Sequence, residues 1–506
     1  MNKPRRRRKP ERLIGGEKLV SRNRDKGAVM QRLKEIAGAS LLWRCLAAIG
    51  AFCSRLWTGS AIVSRFLAGA NGNAARASVF ARAAAAVRRV WCAIFAKLKL
   101  DKALRNSIFC MPWLWCAATA FLAPLISTMA ALALVGVTFF SRALTFGRDR
   151  DRAFASSPVT RWTLLFALVY FASIFTSVTV SGSLKHGLMH VAFALFAVAT
   201  LQSLNTRKSL ELALRAVAVS GALVALYGVY QYVSGATGAA MWVDKEMFTG
   251  IRLRIYSTLE NPNVLSEYLL LVIPFSAALV LTSKRAITKL FFAGCFGVMA
   301  IAMLLTFARG GWLGLIFAAA IFLVMLDRRF ILLGIVGLIA LYFLLPDVIL
   351  QRFLSIGNTG DSSTSYRLYI WLATLAMLRK FWFTGIGPGT AAFNKVYPLY
   401  SYNTVSAPHS HNLFLQVMCD SGIAGIILFL AVIFSSIRAL AAAVRRETDK
   451  KLRVYQIAAI SAIGGFLVQS ATDYSFYNYR VTLMFWVVVG ISAALAAVPA
   501  ASAARA

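Results

Sequence analysis

The sequence predicts an all-α polytopic membrane protein with about twelve transmembrane helices. Three observations carry that reading. Hydrophobic residues make up 59% of the 506-residue chain, and its mean hydropathy is +0.68. The apolar residues gather into runs of about 18 to 22, the length that crosses a roughly 30 Å hydrocarbon core as a helix. No stretch alternates apolar and polar residues over the roughly ten positions that a spanning barrel strand needs.

In chain order, residues 1–28 read as a disordered basic tail, because charge is dense there and large apolar side chains are few. The opening MNKPRRRRKPERLIGGEKLVSRNRDK is too long and polar for the charged start of a cleavable signal peptide, so the expected N-terminus is retained and cytoplasmic. Residues 29–106 hold two segments, VMQRLKEIAGASLLWRCLAAIGAFCSRLW and ARASVFARAAAAVRRVWCAIFAKLKL, with apolar residues at three- and four-residue steps and cations on the other face. Two readings stay open for them: basic amphipathic helices on an anionic membrane surface, or a pair packed on each other in the cytosol.

The twelve expected spans are 107–124, 126–142, 162–181, 188–204, 212–233, 263–282, 290–308, 311–326, 330–346, 412–438, 454–471 and 481–498, followed by a cytoplasmic tail at 499–506. The net charge of +36 would suit nucleic-acid binding, but its distribution is topological. With the N-terminus inside, every inner loop is basic: Arg142 to Arg152, Arg207 and Lys208, Lys284 to Lys289, Arg328 and Arg329, and Arg445 to Arg453. The seven cysteines lie in the N-terminal region or inside apolar runs, with no disulfide framework or CxxC spacing. Two outer segments are long, 234–262 and 347–411, and long loops usually carry function. Within the second, between spans nine and ten, WLATLAMLRKFW is helical in spacing and amphipathic.

Outer segments select against cations, so those present call for a reason. Arg309, in TFARGGWLGL, is expected at the outer end of the seventh span, beside two glycines that would let a ligand approach the backbone. A snorkelling arginine at the interface is the plainer explanation by position alone. Arg367 and Trp371 are four apart, on one helical face. Gly385, Gly387 and Gly389 follow in GIGPGTAAF, with no strand before them as a dinucleotide fold would demand. The chain has only four histidines, and His409 and His411 fall together in APHSHNLFLQVMCDSGIAG. A His-x-His pair can be half a metal site, but few carboxylates neighbour it in sequence and there is no HExxH, so no metal is expected. In STLENPNVLSEYL, Asn261 or Asn263 can cap the sixth span, whose N-terminus is also a place for an anion.

Taken together, RGGW after a span, Arg-x3-Trp in a large outer loop, GxGxGT after it, and HSHNLFLQ running into DSGIAG resemble the O-antigen ligase and polymerase superfamily of bacterial membrane glycosyltransferases. The resemblance covers about 107–498, which would divide into spans one to nine (107–346), an extracytoplasmic catalytic loop (347–411) and spans ten to twelve (412–498). It implies a GT-C-like fold in the bacterial cytoplasmic membrane. It also implies a metal-independent, inverting transfer of a glycan from undecaprenyl diphosphate to an acceptor hydroxyl on the outer face. No cofactor and no nucleic acid enter; the partners are the lipid-linked donor, a glycan, lipid or protein acceptor, and the bilayer.

Arg309 and Arg367 match the family's arginines and would hold the leaving diphosphate. His411 matches the family's histidine and would take the acceptor's proton, work suited to an imidazole titrating near about 6.5. Trp371, Gly387, Gly389, Asn263, His409 and Asp420 are placed with the substrate. Asp420 stands where many members have glutamate, so its carboxylate would reach one methylene less far. Ligation, repeat-unit polymerisation and transfer to protein share this machinery. A lipid-linked glycan transporter or flippase would suit the span count, but its ionisable residues belong near the bilayer midplane, and here they gather at the outer ends. A scaffold recruiting partners through its basic tail leaves Arg309, Arg367 and His411 unexplained.

Overall fold

The computed structural model describes residues 79–99, 107–148, 157–236, 251–355 and 362–498. The basic tail, the first amphipathic segment, the middle of the first long outer segment and the C-terminal tail lie outside the described residues. The chain divides into two compact units, Met1–Val87 and Arg88–Ala506. Helix α1 (Val79–Lys97) begins in the first and ends in the second.

The second unit is a helical bundle: α2 (Pro112–Leu122), α3 (Thr128–Arg148), α4 (Pro158–Phe175), α5 (Val180–Ser203), α6 (Arg207–Ser234), α7 (Pro262–Thr282), α8 (Ala286–Leu305), α9 (Arg309–Leu326), α10 (Phe330–Leu344), α11 (Asp347–Leu354), α12 (Ser362–Phe381), α13 (Thr390–Val396), α14 (Leu413–Arg446), α15 (Lys450–Ser470) and α16 (Tyr479–Ala497). Helices α7 and α16 are the most enclosed, each with 83% of its most apolar window buried. They form the core against which α15, α5 and α14 pack.

Among the described residues ten helices are long and apolar enough to cross a bilayer, or eleven if α10 and α11 are one broken span, against about twelve expected. The shortfall has local causes. The first expected span is split by Pro112, which starts α2 after a 3-10 turn at Ile108–Cys110, and α2 ends after 11 residues, about 16 Å at 1.5 Å per residue and too short to cross. The ninth stops at Pro346, where the chain turns by 119° into α11. Arg309 also moves: Phe307 adopts a left-handed φ of 51° and breaks the chain after α8, so Arg309 opens α9 instead of closing the span before it. The long α14 runs past its expected end and holds a kink at Gly422.

The two ends of the bundle differ in chemistry. At one end the loop before α6 meets the loop before α15, where Arg207 pairs with Asp449, and Lys451 pairs with Glu211. The expected basic inner loops that are described lie at this end. The opposite end collects the start of α7, the α8–α9 break, α11, α12, the His409–Asn412 loop and the α15–α16 connection.

Candidate active site

The α15–α16 connection centres on Asp473, an acid between two spans. Its Oδ1 lies 3.1 Å from His411 Nδ1 and accepts from the Tyr474 amide at 2.8 Å. Its Oδ2 accepts from Asn263 Nδ2 at 2.7 Å and stands 3.4 Å from Arg367 Nη2. The hydrogen bond from His411 and the neighbouring Arg367 charge outweigh burial and hold this carboxyl well below the usual carboxylate range. An ionised carboxylate only accepts, so His411 Nδ1 donates to it.

The backbone holds His411 in place. It sits at a left-handed φ of 48°, which a non-glycine residue keeps only when its surroundings fix it. Asn412 caps α14 through the Phe414 and Leu415 amides and reaches the Ala471 carbonyl at 2.7 Å. The Leu413 amide donates to the Asp473 carbonyl at 3.1 Å, and Trp371 Nε1 to the His411 carbonyl at 3.2 Å. Trp371 therefore clamps the loop by its backbone.

Beside this pair four arginines, Arg254, Arg309, Arg352 and Arg367, line a cavity of about 50 Å³, with Asp473 as its one carboxylate among the described residues. Arg254 comes from Ile251–Tyr256, an extended stretch in which Ile251, Leu253 and Ile255 are buried and Arg254 turns toward the cavity. Its Nε donates to the Thr306 carbonyl and its Nη2 to Asn263 Oδ1, both at 2.8 Å. Burial, then the charges of Arg352 and Arg367, pull its pKa down to about 9. Arg309 donates to the carbonyl and hydroxyl of Ser355, each at 3.1 Å. Arg352 is 7% exposed. Arg367 donates to Ser363 at 2.7 Å, and its Nε is buried without a hydrogen-bond partner. Packed cations of one sign raise each other's energy, and an anion between them reverses that. The cavity has room for water.

The glycines after Arg309 also serve packing, and Gly310 lines the cavity. A Cβ on Gly310 would stand 2.9 Å from Thr472 Oγ1, and one on Gly311 would stand 2.7 Å from Ser266 Cβ. They bring the start of α9 against α15 and α7, which is what aims Arg309 into the cavity.

Of the residues expected at the site, the structure brings together Arg309, Arg367, His411 and Asn263. His409 lies behind His411, with ring centroids 4.3 Å apart. It accepts the His411 amide on Nδ1 and stacks on Tyr477 at 4.9 Å. Burial and the nearby His411 push its pKa down to about 3, so it stays neutral. Asp420 does not touch His411. It accepts from Tyr170 Oη at 2.7 Å and Gln416 Nε2 at 2.9 Å, and Gln416 in turn accepts the Ser410 amide at 2.8 Å. Gly387 and Gly389, at φ of 102° and 96°, press against Ser177 and His186, away from the arginines.

Arg254, Arg352 and Asp473 are not singled out by the sequence. The signal for the two arginines was the same scarcity of outer cations that marks Arg309. For Asp473 it was an acid in a short outer turn between two spans.

Residues 294–430 match the O-antigen ligase family model. This stretch is similar to an O-antigen ligase domain. It runs from within α8 to within α14 and contains Arg309, Arg352, Arg367 and His411, while Arg254, Asn263 and Asp473 come from outside it. The matched stretch therefore supplies most of the arginine cavity, and the flanking helices supply the carboxylate. The match, in a chain of many apolar helices, supports a multi-pass membrane protein similar to the O-antigen ligases, a family that implies glycosyltransferase-like activity in general. Comparison with curated proteins gives no match.

Proposed function

We propose that the protein transfers a glycan from undecaprenyl diphosphate to an acceptor hydroxyl on the outer face of the bacterial cytoplasmic membrane, by a metal-independent inverting reaction. The observation that carries this is the cavity in which four arginines face one carboxylate, with the His411–Asp473 pair at its edge. The basic loops at the far end favour the cytoplasmic side, which puts the cavity outside.

In this mechanism the acceptor oxygen attacks the anomeric carbon while its proton passes to His411 Nε2. The bond from the anomeric carbon to the diphosphate oxygen breaks, and its electron pair leaves with the diphosphate. Guanidinium groups bind that growing charge bidentately and take the place a divalent cation has in other transferases. Asp473 fixes the His411 tautomer and steadies the imidazolium that forms. Attack from the side opposite the leaving group inverts the configuration. Gln416 and Asp420 hold the Ser410 amide, and so position the loop that carries His411.

The test supplies purified protein with the host's lipid-linked repeat unit and an acceptor, in the presence of EDTA. Transfer by the wild type, and its loss in His411→Ala and Arg309→Ala proteins that still insert, is the expected result. A ladder of products marks a polymerase, and one added block a ligase. Wild-type yields from either variant contradict the assignment.

A further inference from the structure

A second cavity opens at the same end of the bundle, across the Glu260–Asn263 segment from the arginines. Its volume is about 310 Å³, and its walls include Thr128, Glu260, Asn261, Tyr477, Asn478 and Arg480. Three helices, α3, α7 and α16, begin on it. Helix starts attract anions while their amides are free, and here side chains cap several of them. Asn261 caps the Asn263 amide at 2.8 Å, Asn478 caps those of Arg480 and Val481, and Ser127 accepts from Ala130. The one acid and the one base in the lining, Glu260 and Arg480, face each other at 3.5 Å. The walls are thus close to neutral overall, dense in amide, hydroxyl and phenol groups, and include an aromatic ring.

This chemistry contrasts with the arginine cavity and suits a neutral, hydroxyl-rich ligand. Sugar rings offer hydroxyls to planar amide and carboxylate groups and a C–H face to aromatic rings. Glu260 leaves its carboxylate accessible in this lining, with its side chain 77% exposed. The cavity also communicates with the reaction site. The Tyr477 ring lining it stacks on His409 at an interplanar angle of 15°, and Asn261 lies two residues before the Asn263 that binds Arg254 and Asp473.

We infer that this cavity is a glycan subsite, holding sugars beyond the one whose bond breaks. The inference rests on the transferase reading above and deepens it, since a chain positioned there directs its reacting sugar toward His411. Selectivity for long over short glycans then depends on this cavity, while the chemical step depends on the arginines.

The experiment uses the full-length protein, the host's lipid-linked repeat unit, and the same unit trimmed to its first sugar by exoglycosidases. Thr128→Trp fills the cavity, and Glu260→Gln removes its exposed charge. The ratio of kcat/KM between full and trimmed units is expected to fall about tenfold in Thr128→Trp, the worth of one or two missing polar interactions, and less in Glu260→Gln. The change is expected in KM. Saturation-transfer NMR with the free oligosaccharide reads binding without catalysis, and its signal is expected to drop in Thr128→Trp. An unchanged ratio together with an unchanged NMR signal overturns the subsite and leaves the transferase standing. A saturation-transfer signal that disappears in Thr128→Trp, from a wild type that binds the oligosaccharide but transfers nothing, supports the subsite and overturns the transferase.

Discussion

Both ends of the bundle are rich in arginine, yet their arginines are in opposite states. At the basic end Arg207, Arg215 and Lys451 are 37% to 47% exposed and meet Asp449 and Glu211. Such pairs are screened by water and contribute little; their charge is accounted for by topology. At the other end Arg352 and Arg367 are mostly buried, four arginines share one carboxylate, and burial with mutual repulsion depresses Arg254. Concentrating cations away from water is costly unless an anion joins them. The first arrangement leaves its charges in water, and the second favours an anion among its cations.

The largest expected effects break that comparison most sharply. His411→Ala is expected to lower transfer about 10²- to 10⁴-fold, the usual worth of a general base. Arg309→Ala and Arg367→Ala should each cost about 10²- to 10³-fold, in line with removal of one charge-stabilising donor. Arg215→Ala, at the basic end, should stay within about twofold of the wild type. The comparison in steady-state assays of inserted protein fails if the two ends respond alike.

Asp473→Asn sharpens the account of the carboxylate. The amide keeps the size of the side chain but neither fixes the tautomer nor balances an imidazolium, so kcat should fall about 10- to 100-fold with KM little changed. A drop only in KM would make Asp473 a binding group instead. Asp420→Asn should have a smaller effect, within about tenfold, because Asp420 acts through Gln416 and the Ser410 amide; a loss matching that of Asp473→Asn would contradict this ranking.

The smallest expected effect is one of stability. His409 is buried neutral with a pKa down to about 3, so the unfolded chain binds a proton that the folded chain refuses. Between the unfolded imidazole's about 6.5 and 3, stability should therefore fall as pH falls. His409→Phe should flatten the acid side of a plot of Tm against pH in detergent, and an unaltered slope would show that His409 protonates without strain.

The fold was legible because a hydrocarbon core imposes length and composition on each helix, and those are local properties. The miscounted span near Pro112 and the break at Pro346 show the limit: prolines and left-handed residues redirect a chain that hydropathy reads as continuous. The site was half legible. Arg309, Arg367 and His411 stood out as outer polar residues in recognisable motifs, and they meet as expected. Asp420 drew attention because it stands where many members of the resembled family have glutamate, whereas the carboxylate that touches His411 is Asp473, 62 positions after it. That pairing is set by two tight loops lying side by side at the bundle end, a tertiary fact that helix periodicity does not carry. Gly310 and Gly311 show the same limit, since helix-to-helix approach and ligand approach leave the same mark in a sequence.

Direct binding of undecaprenyl diphosphate to the purified protein in EDTA tests the central claim most closely. Saturable binding in the wild type and in Arg215→Ala, weakened at least tenfold in Arg309→Ala and Arg367→Ala, is the predicted result. Binding that requires a divalent cation, or that survives loss of either arginine, would contradict it.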